Sequence, residues 1–423
     1  MTKASMQGST LALALLAAGV ARAQTPMCED DVAVGPNRVY VQAADTQVPV
    51  LKALGKKLRT QSTPLTIIYS PNGSCSNLTY VYNDVFTPNA TAGGTFYIPA
   101  DPNFDPKTSV VPNCTPPAGK KPDMGISIVF PDATNCPMAP ARPSTVTVTQ
   151  GPVQAFVFAV PGGVGTTTGS SQRVITAEEA YLVMGLGAAN AMVAPWDDAN
   201  FIYGRPASKG TQISIGANIS VPAAKWKLVM DAMHQIDQSN AVATAIASHL
   251  SDGSAEKALG ILGAEIYDQA ANRANLHSLA FRAFQQNKSY WPDSSSTGFD
   301  KKNVRDGHYP LWSYVQYLAS GTAGNARSPG AQTIINMLVG ETVVINPAFE
   351  PQDLVISAGL VPACAMKVTR TADGGPQSLA SPAQPCGCYY DSKVPMGATS
   401  CTACTDSSTC GTGMCRHGYC EAK

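Results

Sequence analysis

The sequence predicts an α/β protein with mainly parallel sheets, completed by a small disulfide-rich module at its C-terminal end. Three observations lead there. Strand-like apolar runs alternate with stretches of helical spacing, the pattern of strands joined by crossover helices. The strand runs are apolar almost throughout, as strands covered on both faces are. Of the 12 cysteines, the last seven crowd into the segment from Cys386 to the end, which has too little apolar volume for a core of its own.

The elements follow in order. Lys3, the apolar run Leu11 to Val20 and the small-x-small site Ala21-Arg22-Ala23 read as a cleavable signal peptide over 1–23. Val39-Tyr40-Val41 is a short strand, Gln42 to Gln47 a polar loop, and Leu51, Leu54 and Leu58 a helical stripe with Pro49 in its first turn. Leu65 to Tyr69 is the next strand, ending in the loop Ser70 to Cys75. The Pro/Asn/Gly-rich stretch from Asn83 to Pro122 reads as an irregular insertion, and Gly125 to Phe130 as a third buried strand. Val153 to Val160 is a central strand, followed by a Gly/Thr/Ser loop. Thr176-Ala177-Glu178-Glu179 is a capping box that starts a helix. Phe201 to Arg205 is a strand running into a polar loop, and Gly210-Thr211-Gln212 opens another helix. Ala241 to Leu250 is helical, Ala258 to Gly263 a buried strand, and Tyr309 to Leu318 returns the chain to the first unit. Asp373 to Pro385 is a linker to the cysteine-rich tail.

Composition bounds the function. Charged residues make up only 14% of the chain, and Lys+Arg and Asp+Glu number 29 each, so no basic excess points to nucleic acid. Removing residues 1–23 takes away Lys3 and Arg22 and no acid, leaving a net charge of about −2. Cys28 follows Thr25-Pro26-Met27, which is no lipobox, and no later apolar run is long enough to span a membrane. Localisation is therefore expected to be periplasmic or extracellular, without a lipid anchor. An even cysteine count in an exported chain implies full pairing. The expected pairs are Cys28 with Cys75 and Cys114 with Cys136, with Cys364 and the seven tail cysteines pairing among themselves. Zinc at Cys401-x-x-Cys404 is the weaker reading.

Chemistry concentrates in Gly/Ser/Thr loops that begin helices, where first-turn N–H groups lack partners and the helix dipole favours anions. The strongest is Arg205-Pro206-Ala207-Ser208-Lys209-Gly210-Thr211, with two cations, two hydroxyls and a glycine for close approach. Its alternative is a surface loop whose Arg205 pairs with Asp197 or Asp198. Asp45-Thr46-Gln47 and Gly73-Ser74 are weaker members of the same class. No G-x-S-x-G or H-E-x-x-H is present, the five histidines are scattered, and neither a cofactor nor a metal is expected. Asp306-Gly307-His308-Tyr309 reads as a turn, and the four tryptophans as core or hinge residues.

Taken together, these residues resemble the type 2 periplasmic solute-binding proteins, and among them the phosphate-binding proteins of ABC importers, over about Asp31 to Arg370. Val41 to Gln47 stands where that family has Gly-Ala-Thr-Phe, which points to Thr46. Asn72-Gly73-Ser74-Cys75-Ser76 is similar to Gly-Ser-Ser-Gly, which points to Ser74. Arg205 with Gly210-Thr211 matches Arg-x-x-x-Ser-Gly-Thr at the same spacing, with Lys209 in place of Ser. Helix and loop from Ile175-Thr176 to Trp196-Asp197-Asp198 are similar to the family's helix and Trp-Asp-Asp loop. Pro122 to Ile128 matches the third loop, which adds Ser127, but Ile128 replaces the aspartate that accepts a phosphate proton. Asp101 and Asp132 are the candidates to replace that carboxylate.

The resemblance implies a two-lobed type 2 fold, with lobe one at 28–152 and 286–385, lobe two at 153–285 and the tail at 386–423. It implies non-catalytic capture of a small oxyanion or carboxylate between the lobes by Thr46, Ser74, Ser127, Arg205, Lys209, Gly210 and Thr211, with poor discrimination of phosphate from sulfate. An ABC transporter permease, or a cell-surface partner of the tail, is the implied macromolecular partner. Two other readings stand beside it: an extracellular interaction protein that has lost transport-type binding, and an exported phosphohydrolase on the same scaffold.

Overall fold

The computed structural model describes residues 25–322, 325–326, 328–341 and 348–421, so the expected signal peptide lies outside the described residues. Among these residues, no helix is long and apolar enough to cross a membrane.

The chain opens with β1 (Arg38–Ala44) and α1 (Val48–Arg59). The helix buries Val50, Leu51, Leu54 and Leu58 and ends in Lys56, Lys57 and Arg59, where its dipole favours cations. β2 (Thr66–Asn72) runs parallel to β1 over seven pairs, from Arg38 against Thr66 to Ala44 against Asn72. It continues three residues past the strand expected from Leu65 to Tyr69, delivering Gly73 to the start of α2 (Ser74–Tyr82). The stretch after α2 is irregular apart from a 3-10 turn and the edge strand β3 (Phe96–Tyr97), and β4 (Met124–Ser127) then adds to β1 in parallel.

β5 (Val146–Pro161) has 16 residues and is about 50 Å long. β6 (Val174–Thr176) leads into α3 (Ala177–Gly185), where the capping box forms: Thr176 Oγ1 accepts from Glu179 N, and the Glu179 carboxylate accepts from Thr176 N. Next come α4 (Ala188–Ala191), β7 (Ile202–Tyr203), α5 (Gly210–Asn218), α6 (Ser239–Ala247), β8 (Leu259–Gly263), α7 (Ala264–Tyr267), α8 (Ala270–Arg273), β9 (Leu276–Ser278) and β10 (Ala280–Arg282). The return leg holds α9 (Lys302–Arg305), β11 (Trp312–Thr322), β12 (Asn325–Ala326), α10 (Pro329–Val339) and α11 (Pro351–Ser357). After it come β13 (Val368–Thr369), β14 (Ser378–Leu379), α12 (Gly387–Lys393), β15 (Met414–Arg416) and β16 (Tyr419–Glu421).

Among the described residues ten strands join in the order β3-β2-β1-β4-β11-β5-β8-β7, with β12 on β11 and β9 on β5. β5 divides this sheet into two lobes. Its first part, up to Ala155, pairs antiparallel with β11 in lobe one. From Phe156 onward it pairs with β8 and β9 in lobe two. The two-lobed α/β architecture agrees with the expectation, but the sheet is mixed and not mainly parallel: β1–β2, β1–β4 and β7–β8 are parallel, whereas β11 pairs antiparallel with β4 and β5, and β8 and β9 pair antiparallel with β5. Trp312 and Trp196 are buried, and the His308 turn positions Tyr309, whose hydroxyl donates to Phe156 O at 2.7 Å.

All 12 cysteines are paired. The early pairs are Cys28–Cys114 and Cys75–Cys136, not the expected Cys28–Cys75 and Cys114–Cys136. Cys28 N bonds to Thr115 O, so the N-terminal segment lies along the end of the insertion and not beside α2. The remaining pairs are Cys364–Cys386, Cys388–Cys401, Cys404–Cys415 and Cys410–Cys420. The zinc reading gives way to these bonds.

The start of the tail is fastened to lobe one. Tyr389 and Tyr390 of α12 belong to the main core. Arg305 bonds to the Asp391 carboxylate and to Gly387 O, with its guanidinium 4.8 Å from the Tyr390 ring. The Glu421 carboxylate, from the far end of the tail, accepts from Cys388 N and Tyr389 N and so satisfies the start of α12. The presumed linker is anchored too: Asp373 accepts from Phe130 N at 2.8 Å and from Asn135 Nδ2 at 2.7 Å.

Thiol titration of denatured, unreduced protein should find no free thiol, and peptide mapping should recover Cys28–Cys114; either a reactive thiol or a Cys28–Cys75 peptide would contradict the pairing. Tyr390→Ala should lower the stability of the whole chain by about 3–5 kcal/mol in chemical denaturation, as for other buried aromatic truncations. Unchanged stability would mean that the tail folds apart from lobe one.

Candidate functional site

Two helix starts meet where the lobes touch. Gly73 precedes α2 in lobe one, and Ser208-Lys209 precede α5 in lobe two. Cys75 N, in the first turn of α2, donates to Ser208 O at 3.3 Å. A Cβ on Gly73 would stand 2.9 Å from Ser208 O, and one on Gly210 would stand 2.6 Å from Ser74 Oγ and 2.2 Å from Ile128 Cγ1. Gly73 must lack a side chain because the Ser208 carbonyl faces it, and Gly210 because the side chains of Ile128 and Ser74 pack on it. The close fit also shows what occupies the start of α5: the buried side chain of Ile128 lies on Gly210.

All seven expected residues come together at this junction, and each is buried. Thr46 Oγ1 donates to Gln154 Oε1 at 3.2 Å, and Ser74 Oγ accepts from Ile128 N at 3.0 Å. Ser127 Oγ is engaged with its own turn, donating to Val129 O and accepting from Val129 N. Thr211 lies in the first turn of α5.

Arg205 departs from both readings of the sequence. It neither awaits an anion with a free fork nor pairs with Asp197 or Asp198. It is fully buried and held by its own chain. Nε donates to Ile236 O at 2.8 Å, Nη1 donates to Ser239 Oγ, and Nη2 donates to Asp237 O and to Asp45 Oδ2, the last at 2.8 Å. Ser239 Oγ also donates to Asp45 Oδ2, at 3.1 Å. Asp45 of lobe one therefore latches onto Arg205 and Ser239 of lobe two. Burial alone would raise the Asp45 carboxyl, but Arg205 and Lys209 outweigh it and hold the group below the ordinary carboxylate range. Lys209 is likewise buried and paired, its ammonium 2.8 Å from Asp237 Oδ1. Asp101 and Asp132 do not stand in for the missing carboxylate: both are exposed and cap their own loops, at Asn103 N and Asn135 N.

The sequence reading thus located the junction and missed its acids. Asp45 lies inside the loop Asp45-Thr46-Gln47, but the resembled family's loop points only to its neighbour Thr46. Asp237 and Ser239 gave a weak signal, a polar pair just before a helix. Gln154, in an otherwise apolar strand, is the anomaly that could have marked the site: it receives Thr46 and also Gln47, whose Nε2 donates to Gln154 Oε1 at 2.6 Å.

Chemically, the junction offers two facing helix starts with positive potential, two buried cations each matched by a carboxylate, and hydroxyls from both lobes. The apolar side chain of Ile128 is seated on the start of α5 among these groups.

No protein-family model matches the chain, and no curated relative matches it. Its structure is similar to several solved ones. One is a protein assigned as a phosphate ABC transporter substrate-binding protein from Clostridium perfringens, solved with phosphate bound (10% identity, TM-score 0.48, covering 77% of this chain and 100% of that one). Another is an ABC-type phosphate transport receptor from Vibrio cholerae (10% identity, TM-score 0.46, 77% and 100%). A third is a phosphate-binding protein from Stenotrophomonas maltophilia (10% identity, TM-score 0.43, 77% and 91%).

Proposed function

We propose that the protein is an exported, non-catalytic binding protein that captures a small oxyanion or carboxylate between its lobes. The observation that carries this reading is the meeting of the starts of α2 and α5 across the lobes, beside the buried cations Arg205 and Lys209. Each cation has a carboxylate partner in the closed form, so an anion would enter by exchanging with Asp45 or Asp237 beside helix starts whose dipoles favour negative charge. Thr46, Ser74, Ser127, Gly210 and Thr211 line the same junction. Asp45 is engaged by Arg205 and Ser239, so it does not replace the carboxylate that Ile128 lacks, and a proton on the anion gains no acceptor. The closed form would be what a transporter permease or a partner of the tail reads.

A second reading is favoured by Ile128. Its side chain on Gly210, and the Asp45–Arg205 and Asp237–Lys209 pairs, fill the junction with groups of the chain itself. A protein that closes in this way without a ligand would be an interaction protein on a binding-protein scaffold.

Calorimetry with phosphate, sulfate and malonate separates the two. On the first reading the native protein binds phosphate and sulfate with affinities within roughly tenfold of each other, and Ile128→Ala strengthens both by roughly tenfold because the apolar group no longer competes for the helix start. If neither protein binds any of the three at millimolar concentration, the second reading replaces the first. Gly210→Ala tests the closure itself. The added methyl group collides with Ile128 and Ser74, so the ligand-free variant should show a larger radius of gyration in solution scattering than the native protein. An unchanged radius would show that the lobes are not closed without ligand.

A further inference from the structure

The segment after β13 passes from one lobe to the other and back. Its first residues are fixed on lobe one. Arg370 Nη1 donates to Trp312 O and Nη2 to Pro310 O, both at 3.1 Å, and the guanidinium lies 3.8 Å over the Trp312 ring. Asp373 then reaches the turn that follows Ile128, where its Oδ2 accepts from Phe130 N and from Asn135 Nδ2. The next residue lies on lobe two. A Cβ on Gly374 would stand 2.6 Å from Ala217 O, near the end of α5, and the backbone there, at φ +65°, is in the left-handed region that favours glycine. Gln377 Nε2 brings the chain back to lobe one by donating to Gly307 O at 3.2 Å. Ile128 meets α5 at its start, and this segment ties the same turn to the far end of the helix.

The tie depends on one carboxyl. Asp373 is partly exposed as a residue, but its Oδ1 is buried and has no hydrogen-bond partner. A carboxylate held in this way leaves a charged oxygen without a donor. The neutral acid keeps Oδ2 as the acceptor of both bonds and carries its hydroxyl on Oδ1. Burial raises the carboxyl from the ordinary 3.8 to about 6; Asp132, from the Phe130 turn, adds to the rise, while Ser313, the Phe130 amide and Arg370 oppose it. Tyr314 of β11 faces Arg370, and α5 brings no charged side chain to the strap. Once released, the carboxyl meets water and returns to its ordinary range, so the fastened segment binds a proton more tightly than the released one. Its hold is greatest in acid, falls as pH rises from about 4 to about 6 and is constant above that, a change of roughly hundredfold.

We propose that residues 370–377 are a strap between the lobes and that Asp373 is its proton-operated clasp, fastened most firmly in acid and eased near neutrality. Acid surroundings then restrain the lobes from parting. The clasp works alike on either reading of the cleft.

Amide hydrogen exchange on the full chain tests this, with protection corrected for intrinsic rates and read against the amides of β2. Between about pH 4.5 and about pH 7, protection at Phe130 and across the strap should fall roughly tenfold or more relative to β2. Asp373→Asn carries a neutral amide of the same shape, so its strap should keep one level of protection at both pH values. A merely structural Asp373 would move the melting temperature and leave the pH profile as it is. Gly374→Ala, on the lobe-two side, should lift the strap off Ala217 and lower protection at Phe130, on the lobe-one side, at both pH values. A native strap whose protection does not change with pH, or the same change in Asp373→Asn, overturns the clasp. Unchanged protection of Phe130 in Gly374→Ala overturns the strap as a tie between the lobes.

Discussion

A guanidinium that cannot reach water has to be bonded on nearly every side, and the junction of the two lobes is arranged to do this for Arg205. Three of its partners, Ile236 O, Asp237 O and Ser239 Oγ, come from the segment between β7 and α6 of its own lobe. The fourth, Asp45, comes from the other lobe, at the end of β1. Separating the lobes would leave both charges to water or to a ligand, and breaking such a pair within a closed interior costs about 3–5 kcal/mol. The rest of the junction follows from this contact. Gly73 and Gly210 let the lobes come close beside it, Gln154 accepts from Thr46 and Gln47, the two residues after Asp45, and β5 carries Gln154 between the lobes.

Much of this was legible in the sequence, for physical reasons that can be named. The parallel strands β1 and β2 announce themselves because both faces are covered and both runs are apolar. The capping box of α3 is a local device whose two hydrogen bonds depend only on Thr176 and Glu179. The helix start at Gly210 was readable from Gly-Thr after a polar loop. What could not be read were relations between distant residues. Nothing local to Arg205 says that its carboxylate lies 160 positions earlier at Asp45. The pairing of Cys28 depends on where the irregular insertion turns back, which carries no periodicity. Tyr389 and Tyr390 looked like part of a small disulfide knot because a short cysteine-rich segment ordinarily lacks a core; here the segment borrows one from lobe one.

Ile128 illustrates how one side chain can tune a junction between lobes. It brings apolar surface onto the start of α5, where it packs in the closed arrangement without any ion. On the cleft reading proposed above, an anion would have to compete with it for that helix start.

The strand order has a consequence for how the chain assembles. β4 and β5 are close in sequence, yet β11 lies between them in the sheet. Until residues 312–322 have been synthesised, lobe one has a gap at its centre, and the facing edges of β4 and β5 wait while the 150 residues between β5 and β11 are added. Sequence-distant pairings of this kind slow folding and leave edges open to wrong partners. Cys28–Cys114 and Cys75–Cys136 close before that point in the chain, within its first third. They can hold α1, α2 and the insertion near their final places while the sheet waits for its central strand. Their value is then greatest during biogenesis: loss of either bridge would be felt first as a lower yield of correctly assembled protein, and only afterwards in the stability of the finished one.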